Sequence, residues 1–437
     1  MKTSSRCPGR AGLSFENFAA LGLALAVSAC GSSTSENGFI DGGGTNPSDG
    51  SAQNGDANGQ GGDDGGSANN GDTGTVSGVI SVPLSICVPP VYSANVAIGG
   101  GQTFQLIVDT GSTSLGVAGK GCTNCGVTPL YTPGAGATDE NTPATSQFGS
   151  GSWSGEVYQD TVGFESDPSV PVKLVSITSQ TSFFQQGSTC GGKPYQGLIG
   201  FDRASAAVTG TNAFFDQFVS GKGVPDVFAT QLCDNGGTLW LGGFDSSFTT
   251  AAPQYTPVTT DIDSTYYYTV NLATIAVGGV TVPIPSGTYT DTVLDTGTSA
   301  FVVGTTAYDA LAAAIGESAG FKSVFGADAG AGFFASGSAN PGCANLTQTK
   351  AELDATLPPV TMTFGSNPGV TVQAPATETY LMPYPTLGWC NSMVSQAVGT
   401  SFPLASIMGA PFLRSAVVIF DRAKGQIGFA PHKACPQ

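Results

Sequence analysis

Histidine is almost absent from this 437-residue chain: the only one is His432, close to the C-terminus. A Ser-His-Asp or Cys-His machine, or a histidine-rich zinc site, would have to be built around that one terminal residue, so hydrolytic chemistry here has to rest on carboxylates. Charge is scarce as well. Asp, Glu, Lys and Arg make up 10% of the chain, and 31 acids against 14 bases leave a formal charge of −17. That sign repels phosphate backbones and anionic membrane surfaces, which argues against nucleic acid as a partner. Between Arg10 and Lys120 there is no basic residue at all, so nothing in that stretch reads as a basic pro-segment able to lie in an acidic cleft. Long helical patterns are few and Gly, Ser and Thr are many. A mainly β protein is expected, long enough for two lobes sharing one core.

What is present is a repeated device. Phe104-Gln105-Leu106-Ile107-Val108-Asp109-Thr110-Gly111-Ser112 and Thr292-Val293-Leu294-Asp295-Thr296-Gly297-Thr298 are each an apolar, β-branched run that ends on Asp-Thr-Gly and a hydroxyl residue. Each reads as a buried strand delivering a carboxylate into a tight turn. One Asp-Thr-Gly alone would be ordinary turn chemistry. Two copies in the same context, 186 residues apart (295 − 109), point to an internal duplication. The duplication extends further, because Leu198-Ile199-Gly200 follows the first copy and Ile407-Met408-Gly409 the second. A glycine there predicts a backbone passing so close under the turn that no side chain fits.

Residues 1–29 have the pattern of an export signal, with Lys2, Arg6 and Arg10 before an apolar core over 18–29 that is too short to span a bilayer. The end, Val27-Ser28-Ala29-Cys30, resembles the lipobox of bacterial lipoproteins, which implies that Cys30 becomes the lipid-modified first residue; the alternative is a secretory signal cut after Ala29. Without Cys7 and Cys30, the ten cysteines become an even set available for disulfides in an oxidising compartment. From Gly31 to about Thr75 the chain is almost free of apolar residues, so residues 30–75 read as an anchor cysteine and a disordered tether spanning about 37 Å root mean square.

The folded part is expected over residues 76–437, divided into lobes at 76–255 and 256–437. Apolar stretches between Gly, Pro, Asn and Asp punctuation predict strands over 92–98, 103–109, 156–164, 170–177, 238–241 and 266–277. Two helices are expected. Asn212 is placed to cap one carrying Phe214, Phe215 and Phe218, and Thr306 with Asp309 to open another over 307–315, closed by Gly316.

These residues together resemble the pepsin-like aspartic proteases, over nearly all of 90–432. Asp109-Thr110-Gly111-Ser112-Thr113-Ser114-Leu115 and Val293-Leu294-Asp295-Thr296-Gly297-Thr298-Ser299 resemble the two active-site motifs of that family. Phe148-Gly149-Ser150-Gly151-Ser152 falls at the flap and Leu241-Gly242-Gly243-Phe244-Asp245-Ser246-Ser247 near the lobe junction. Val418-Ile419-Phe420-Asp421-Arg422 through Gly428-Phe429-Ala430-Pro431 resembles the closing strands. The resemblance implies a bilobal β fold with two pseudo-symmetric lobes and an interlobe cleft, Asp109 and Asp295 as catalytic dyad, and Phe148, Gly149 and Ser150 over the substrate. It also implies that Thr110 and Thr296 brace the loops, that Gly111 and Gly297 allow the turns, and that Ser112 and Thr298 hydrogen-bond the carboxylates.

Two carboxylates brought together cannot both ionise cheaply; like charge raises one pKa and leaves a shared proton. The ionised partner can deprotonate a water and the protonated one can donate to a scissile carbonyl oxygen. Neither a cofactor nor a metal is called for, and a monomeric, exported endopeptidase acting on extended polypeptides at acid pH is expected, tied to a bacterial envelope, most readily the outer membrane, only through its lipid. Two departures from the family stand out: Phe148 where a flap tyrosine is usual, and Gly116 where a tryptophan follows Leu115. In the family those two side chains commonly hydrogen-bond, so losing both orphans no polar group. Trp153 is a candidate to fill the space, and Gln196 stands where an acid is more usual. Cys122 and Cys125 could be half a zinc site, but no second CxxC exists and the resemblance implies a disulfide there, as it does for Cys343 and Cys390; Cys87, Cys190, Cys233 and Cys435 are left unpaired. A non-catalytic binding protein on the same scaffold is the rival reading. A glycosidase fits less well, since its acids flank a sugar and are not twinned on symmetric turns.

Overall fold

The computed structural model describes residues 28–29 and 78–435, apart from 89, 149–150, 165–168, 185–188, 204–206, 260–266, 285–288, 290, 336–341, 367–368, 385, 397–405 and 434. The export signal apart from its last two residues, Cys30, the tether and the flap residues Gly149 and Ser150 lie outside the described residues.

The duplication read from the motifs is a duplication of topology. In the first half five strands lie side by side in the order Tyr92–Ile98, Gln102–Asp109, Gly197–Gly200, Leu115–Ala118 and Val170–Thr181. In the second half the order is Thr269–Val270, Thr292–Asp295, Ser406–Gly409, Phe301–Gly304 and Met393–Gln396. The pairings are antiparallel, parallel, antiparallel and parallel in both. Each motif strand is covered on both faces where it meets its turn, which is why it reads there as a continuous apolar run; residues 106–109 and Thr292–Asp295 are buried at every position. Strands that cover the core with one face alternate instead, as Val370–Ala374 does from buried to exposed.

The two motif sheets are separate, but other strands of the second half join the sheet of the first. Val227–Cys233 pairs with Val417–Asp421, which pairs with Gln426–Ala430 and through it with Gln254–Pro257. The last strands of the chain therefore extend the sheet of the first half. Aromatic rings fill the same junction: Phe228 stacks on Phe420 at 4.5 Å, Tyr268 meets Phe420 at 4.9 Å, and the Tyr268 hydroxyl donates to the Phe201 carbonyl at 2.7 Å. Disulfides join Cys87 to Cys190, Cys122 to Cys125, Cys233 to Cys435 and Cys343 to Cys390. The pairs implied for 122 with 125 and 343 with 390 are formed, and the four cysteines left open pair so that Cys435 is tied back to the last residue of Val227–Cys233.

Three expectations need correction. The first helix is Phe214–Lys222 with Phe214, Phe215 and Phe218 buried, but its N-cap is Ala213, with no side-chain cap; Asn212 instead contributes its carbonyl to the Gln217 side chain. The second helix is Thr305–Glu317, capped at Gly304, and Gly316 lies inside it, where its missing side chain lets Gly330 approach. The single strand expected over 266–277 is two, Thr269–Val270 and Leu272–Val277, because Asn271 turns its carbonyl to accept from the Gly365 N–H. A helix not expected, Lys350–Thr356, has a full capping box from Thr349 and Glu352, a signal present in the sequence as Thr-x-x-Glu.

Under each motif turn a glycine passes as expected. A Cβ at Gly200 would lie 2.5 Å from the Ser112 carbonyl oxygen, and one at Gly409 2.3 Å from that of Ala300. Backbone on both sides leaves no soft direction to yield. Gly200→Ala and Gly409→Ala should each lower unfolding stability by about 2–4 kcal/mol in urea titration; a loss within the error of the method would show that the loops are looser than this packing.

Candidate active site

Strand register delivers the two acids. The parallel pairing sets Asp109 opposite Gly200 and Asp295 opposite Gly409. Beyond each aspartate the chain turns at once, and the turn folds back on its own carboxylate: the Gly111 N–H donates to Asp109 Oδ1 and the Gly297 N–H to Asp295 Oδ1, both at 2.8 Å. The other oxygen of each takes a hydroxyl, Ser112 Oγ to Asp109 Oδ2 at 2.6 Å and Thr298 Oγ1 to Asp295 Oδ2 at 2.5 Å. Short donors of this type favour a carboxylate held in one orientation.

The threonines lock one loop to the other. Thr110 Oγ1 donates to the Leu294 carbonyl (2.8 Å) and accepts from the Thr296 N–H (3.0 Å). Thr296 Oγ1 donates to the Val108 carbonyl (2.7 Å) and accepts from the Thr110 N–H (3.1 Å). Both threonines are fully buried, so these backbone groups have no water to turn to. The glycines then set the spacing. A Cβ on Gly111 would sit 2.7 Å from the Asp295 carboxyl carbon, and one on Gly297 2.3 Å from Asp109 Oδ1. Each carboxyl therefore rests on the glycine of the opposite turn, and the two acids hydrogen-bond to each other.

Both aspartates are nearly closed off from solvent, at 1% and 2% exposure. Burial, then the charge and hydrogen bond of Asp109, hold the Asp295 carboxyl well above the ordinary carboxylate range; the Thr298 hydroxyl and Gly297 N–H oppose this and are outweighed. One proton is thus retained by the pair into conditions where an exposed aspartate has lost its own, and it belongs to the pair as a whole. Among the described residues no group of three or more His, Cys, Asp or Glu is placed to hold a metal ion. The arrangement is a two-carboxyl acid–base device with one proton to share.

Of the residues expected at the flap, Phe148 closes the strand Thr138–Phe148, where it pairs with Gly151, and its ring is buried. It packs at 5.1 Å from Phe183 and 6.1 Å from Trp153. The indole of Trp153 in turn lies over Gly116: a Cβ at 116 would fall 3.2 Å from its Cζ2 and 3.4 Å from its Cε2. The ring missing from position 116 is replaced in space by one supplied from the strand Gly151–Phe164, which meets Leu115–Ala118 through an apolar aromatic contact. Gln196 is explained by its bonds. Its Oε1 accepts from the Gln105 N–H at 2.8 Å while its Nε2 donates to the carbonyls of Thr128 and Pro194, a donation no carboxylate could make. One acid that motif reasoning did not single out is Asp202, fully buried two residues beyond Gly200; the signal was an acid directly after the apolar stretch Leu198-Ile199-Gly200-Phe201.

Comparison with known proteins agrees with this geometry. A family model described as eukaryotic aspartyl protease matches residues 91–432. The chain belongs to the eukaryotic aspartyl protease family. Its relatives include an aspartic protease of Phaffia rhodozyma, 27% identical over 338 residues that cover 76% of this chain and 74% of that protein. Pepsin A of Sus scrofa is 27% identical over 368 residues, covering 80% and 83%, and pepsin-2B of Gadus morhua is 27% identical over 340 residues, covering 76% and 92%. The mostly β, two-halved architecture with its twinned Asp-Thr-Gly turns is the pepsin-like fold.

Two outcomes are expected from this aspartyl protease site. Thr110→Val keeps the shape but strands the Thr296 N–H and the Leu294 carbonyl, and should cost about 2–4 kcal/mol in chemical denaturation, while Thr110→Ser should recover most of it; equal losses would mean that the methyl group and not the hydroxyl matters. The raised Asp295 also links stability to pH. Unfolded, it ionises near pH 4; folded, it holds its proton to higher pH, so its contribution is fully present below about pH 4 and is lost as pH rises through the folded value. Asp295→Asn should flatten the fall in urea midpoint as pH rises above about 4, and an unchanged slope would contradict the burial of an ionisable group there.

Proposed function

We propose that the protein is an aspartic endopeptidase whose catalytic residues are Asp109 and Asp295. The observation that carries this reading is the reciprocal seating of two buried carboxyls, each supplied with a backbone N–H and a hydroxyl, with a proton held between them. In the reaction the ionised member takes a proton from a water as its oxygen attacks the peptide carbonyl carbon, while the protonated member gives its proton to the carbonyl oxygen. Collapse of the tetrahedral intermediate then breaks the C–N bond, the leaving nitrogen takes a proton from the dyad, and no covalent enzyme intermediate forms. Extended polypeptides are the substrate class, bound between the lobes beneath the flap at Phe148, Gly149 and Ser150. The aromatic cluster of Phe148, Trp153 and Phe183 supports a preference for apolar residues beside the cut. The need for one retained proton, together with the acidic surface, supports an acid optimum.

The intact hydroxyl supports Ser112 and Thr298 favour catalysis over a binding role, because a site that only bound polypeptide would have no use for oriented carboxylates. Purified ectodomain should cleave denatured casein between about pH 3 and 6, with pepstatin blocking the cleavage. Asp109→Asn and Asp295→Asn should each reduce it at least about a thousand-fold while keeping the disulfides and the far-UV spectrum. Cleavage that survives either change, or a folded wild type inert at every pH, would remove the proposal.

For location, the basic start, the short apolar core and Val27-Ser28-Ala29-Cys30 support export with lipid attachment at Cys30, residues 31–75 acting as a tether to a bacterial envelope. The lobes would work as a monomer above that membrane. Cys30→Ser should abolish incorporation of labelled palmitate and release the protein to the soluble fraction with its pepstatin-sensitive activity intact; retention in the membrane would point to another anchor.

A further inference from the structure

The two motif turns are so alike that their own contacts cannot tell one acid from the other. Each carboxylate accepts one glycine N–H at 2.8 Å and one hydroxyl at 2.5–2.6 Å. The halves diverge just beyond the glycine that passes under each turn. In the second half Gly409 is followed by Ala410 and Pro411, and the Ala410 N–H donates to the Thr298 carbonyl at 2.7 Å. In the first half Gly200 is followed by Phe201 and Asp202; the Phe201 N–H donates to the Asp109 carbonyl and the Asp202 N–H to the Ser112 carbonyl, both at 2.8 Å. Asp202 therefore stands where the second half has Ala410 by hydrogen bonding, or Pro411 by count. A carboxyl on one side answers to an apolar residue on the other.

Asp202 has no solvent exposure. Its Oδ1 accepts from the Arg203 N–H at 2.8 Å, and its Oδ2 is buried with no partner. The ionisable groups that face it are Asp109 from the first turn, Asp295 from the second, Arg203 beside it, and Tyr268 from the segment leading into Thr269–Val270. The Arg203 guanidinium lies 5.6 Å over the Tyr268 ring, and the Tyr268 hydroxyl is committed to the Phe201 carbonyl. Burial and the two like charges together outweigh Arg203 and its N–H, and hold the Asp202 carboxyl well above its usual range.

We propose that Asp202 is a third proton-binding site coupled to the pair, a positioning residue under the Asp109 turn whose charge, when it forms, makes the pair hold its last proton longer. The physical basis is that three buried carboxyls within electrostatic reach of one another titrate as a group, each charge formed raising the cost of the next. The consequence is an activity window that reaches to higher pH than two aspartates alone would allow. This inference rests on the aspartic-dyad reading for its catalytic consequence, while the coupling itself is a property of the fold.

The test is a cycle of wild type, Asp202→Asn, Asp109→Asn and the double variant, each unfolded in urea from about pH 3 to 8. The expected result is that Asp202→Asn removes a share of the fall in stability with rising pH, and that this share shrinks in the Asp109→Asn background, where one of the like charges is gone. An effect of the same size in both backgrounds, or none in either, would overturn the proposal. If the Asn variants do not fold, carbon-13 titration of the carboxyls in wild type with and without saturating pepstatin reads the same coupling, and an Asp202 signal that titrates at the ordinary aspartate value would overturn it. In the kcat/KM profile on a casein-derived peptide, the alkaline limb of Asp202→Asn should move down by about half a pH unit or more; an unmoved limb would count against the proposal. A wild type that cleaves nothing would instead overturn the protease reading, and the unfolding cycle would still decide the role of Asp202.

Discussion

The crossed hydrogen bonds of Thr110 and Thr296 are the constraint on which the rest depends. Each hydroxyl reaches into the opposite half, donating to the carbonyl just before the opposite aspartate and accepting from the N–H just after it. Four buried backbone groups are satisfied only when both halves are folded and docked in one register. The dyad cannot then exist in either half alone. The same bonds press Gly111 and Gly297 against the opposite carboxyls, where any side chain would collide, and so convert the docking of two lobes into a fixed separation of two acids.

Two opposing electrostatic effects meet at that contact. Hydroxyl and N–H donors favour charged carboxylates, whereas burial and mutual repulsion favour a bound proton. For Asp295 burial and its neighbour prevail, and the donors serve chiefly to fix which oxygen points where. Asp202 adds a third acid on one side only, so a scaffold that is close to two-fold symmetric in its backbone is asymmetric in its protons.

Holding the halves in register falls to the features around the junction. The strands Val417–Asp421 and Gln426–Ala430 return to the first-half sheet, Cys435 is joined to Cys233 across 202 residues, and Phe228, Tyr268 and Phe420 fill the space between. Over the first motif, the contact of Trp153 with Gly116 performs by packing what a hydrogen-bonded pair would perform by polarity. A flap anchored this way depends on shape and dispersion, which tolerate small shifts better than a directional bond does.

The twinned runs ending in Asp109-Thr110-Gly111 and Asp295-Thr296-Gly297 were legible in the chain because a buried strand needs uninterrupted apolar residues and a tight turn needs Asp and Gly, both local requirements. Gly200 and Gly409 were legible for the same reason, as were the helix-bearing phenylalanines 214, 215 and 218. The helix starts were not, because the Phe214 N–H is taken by the carbonyl of Thr113, remote in sequence, and the strand Phe301–Gly304 runs directly into the second helix, so the caps fall at Ala213 and Gly304 and not at Asn212 and Thr306. The partners of Cys87, Cys190, Cys233 and Cys435, the return of the last strands to the first sheet, the seat of Trp153 on Gly116 and the burial of Asp202 beneath the dyad all join residues remote in sequence. By itself the sequence determined the two aspartates, their hydroxyl and glycine neighbours and the duplicated β plan. Only the tertiary structure decided what each acid feels, because burial and the distance between charges arise when the two halves close on each other.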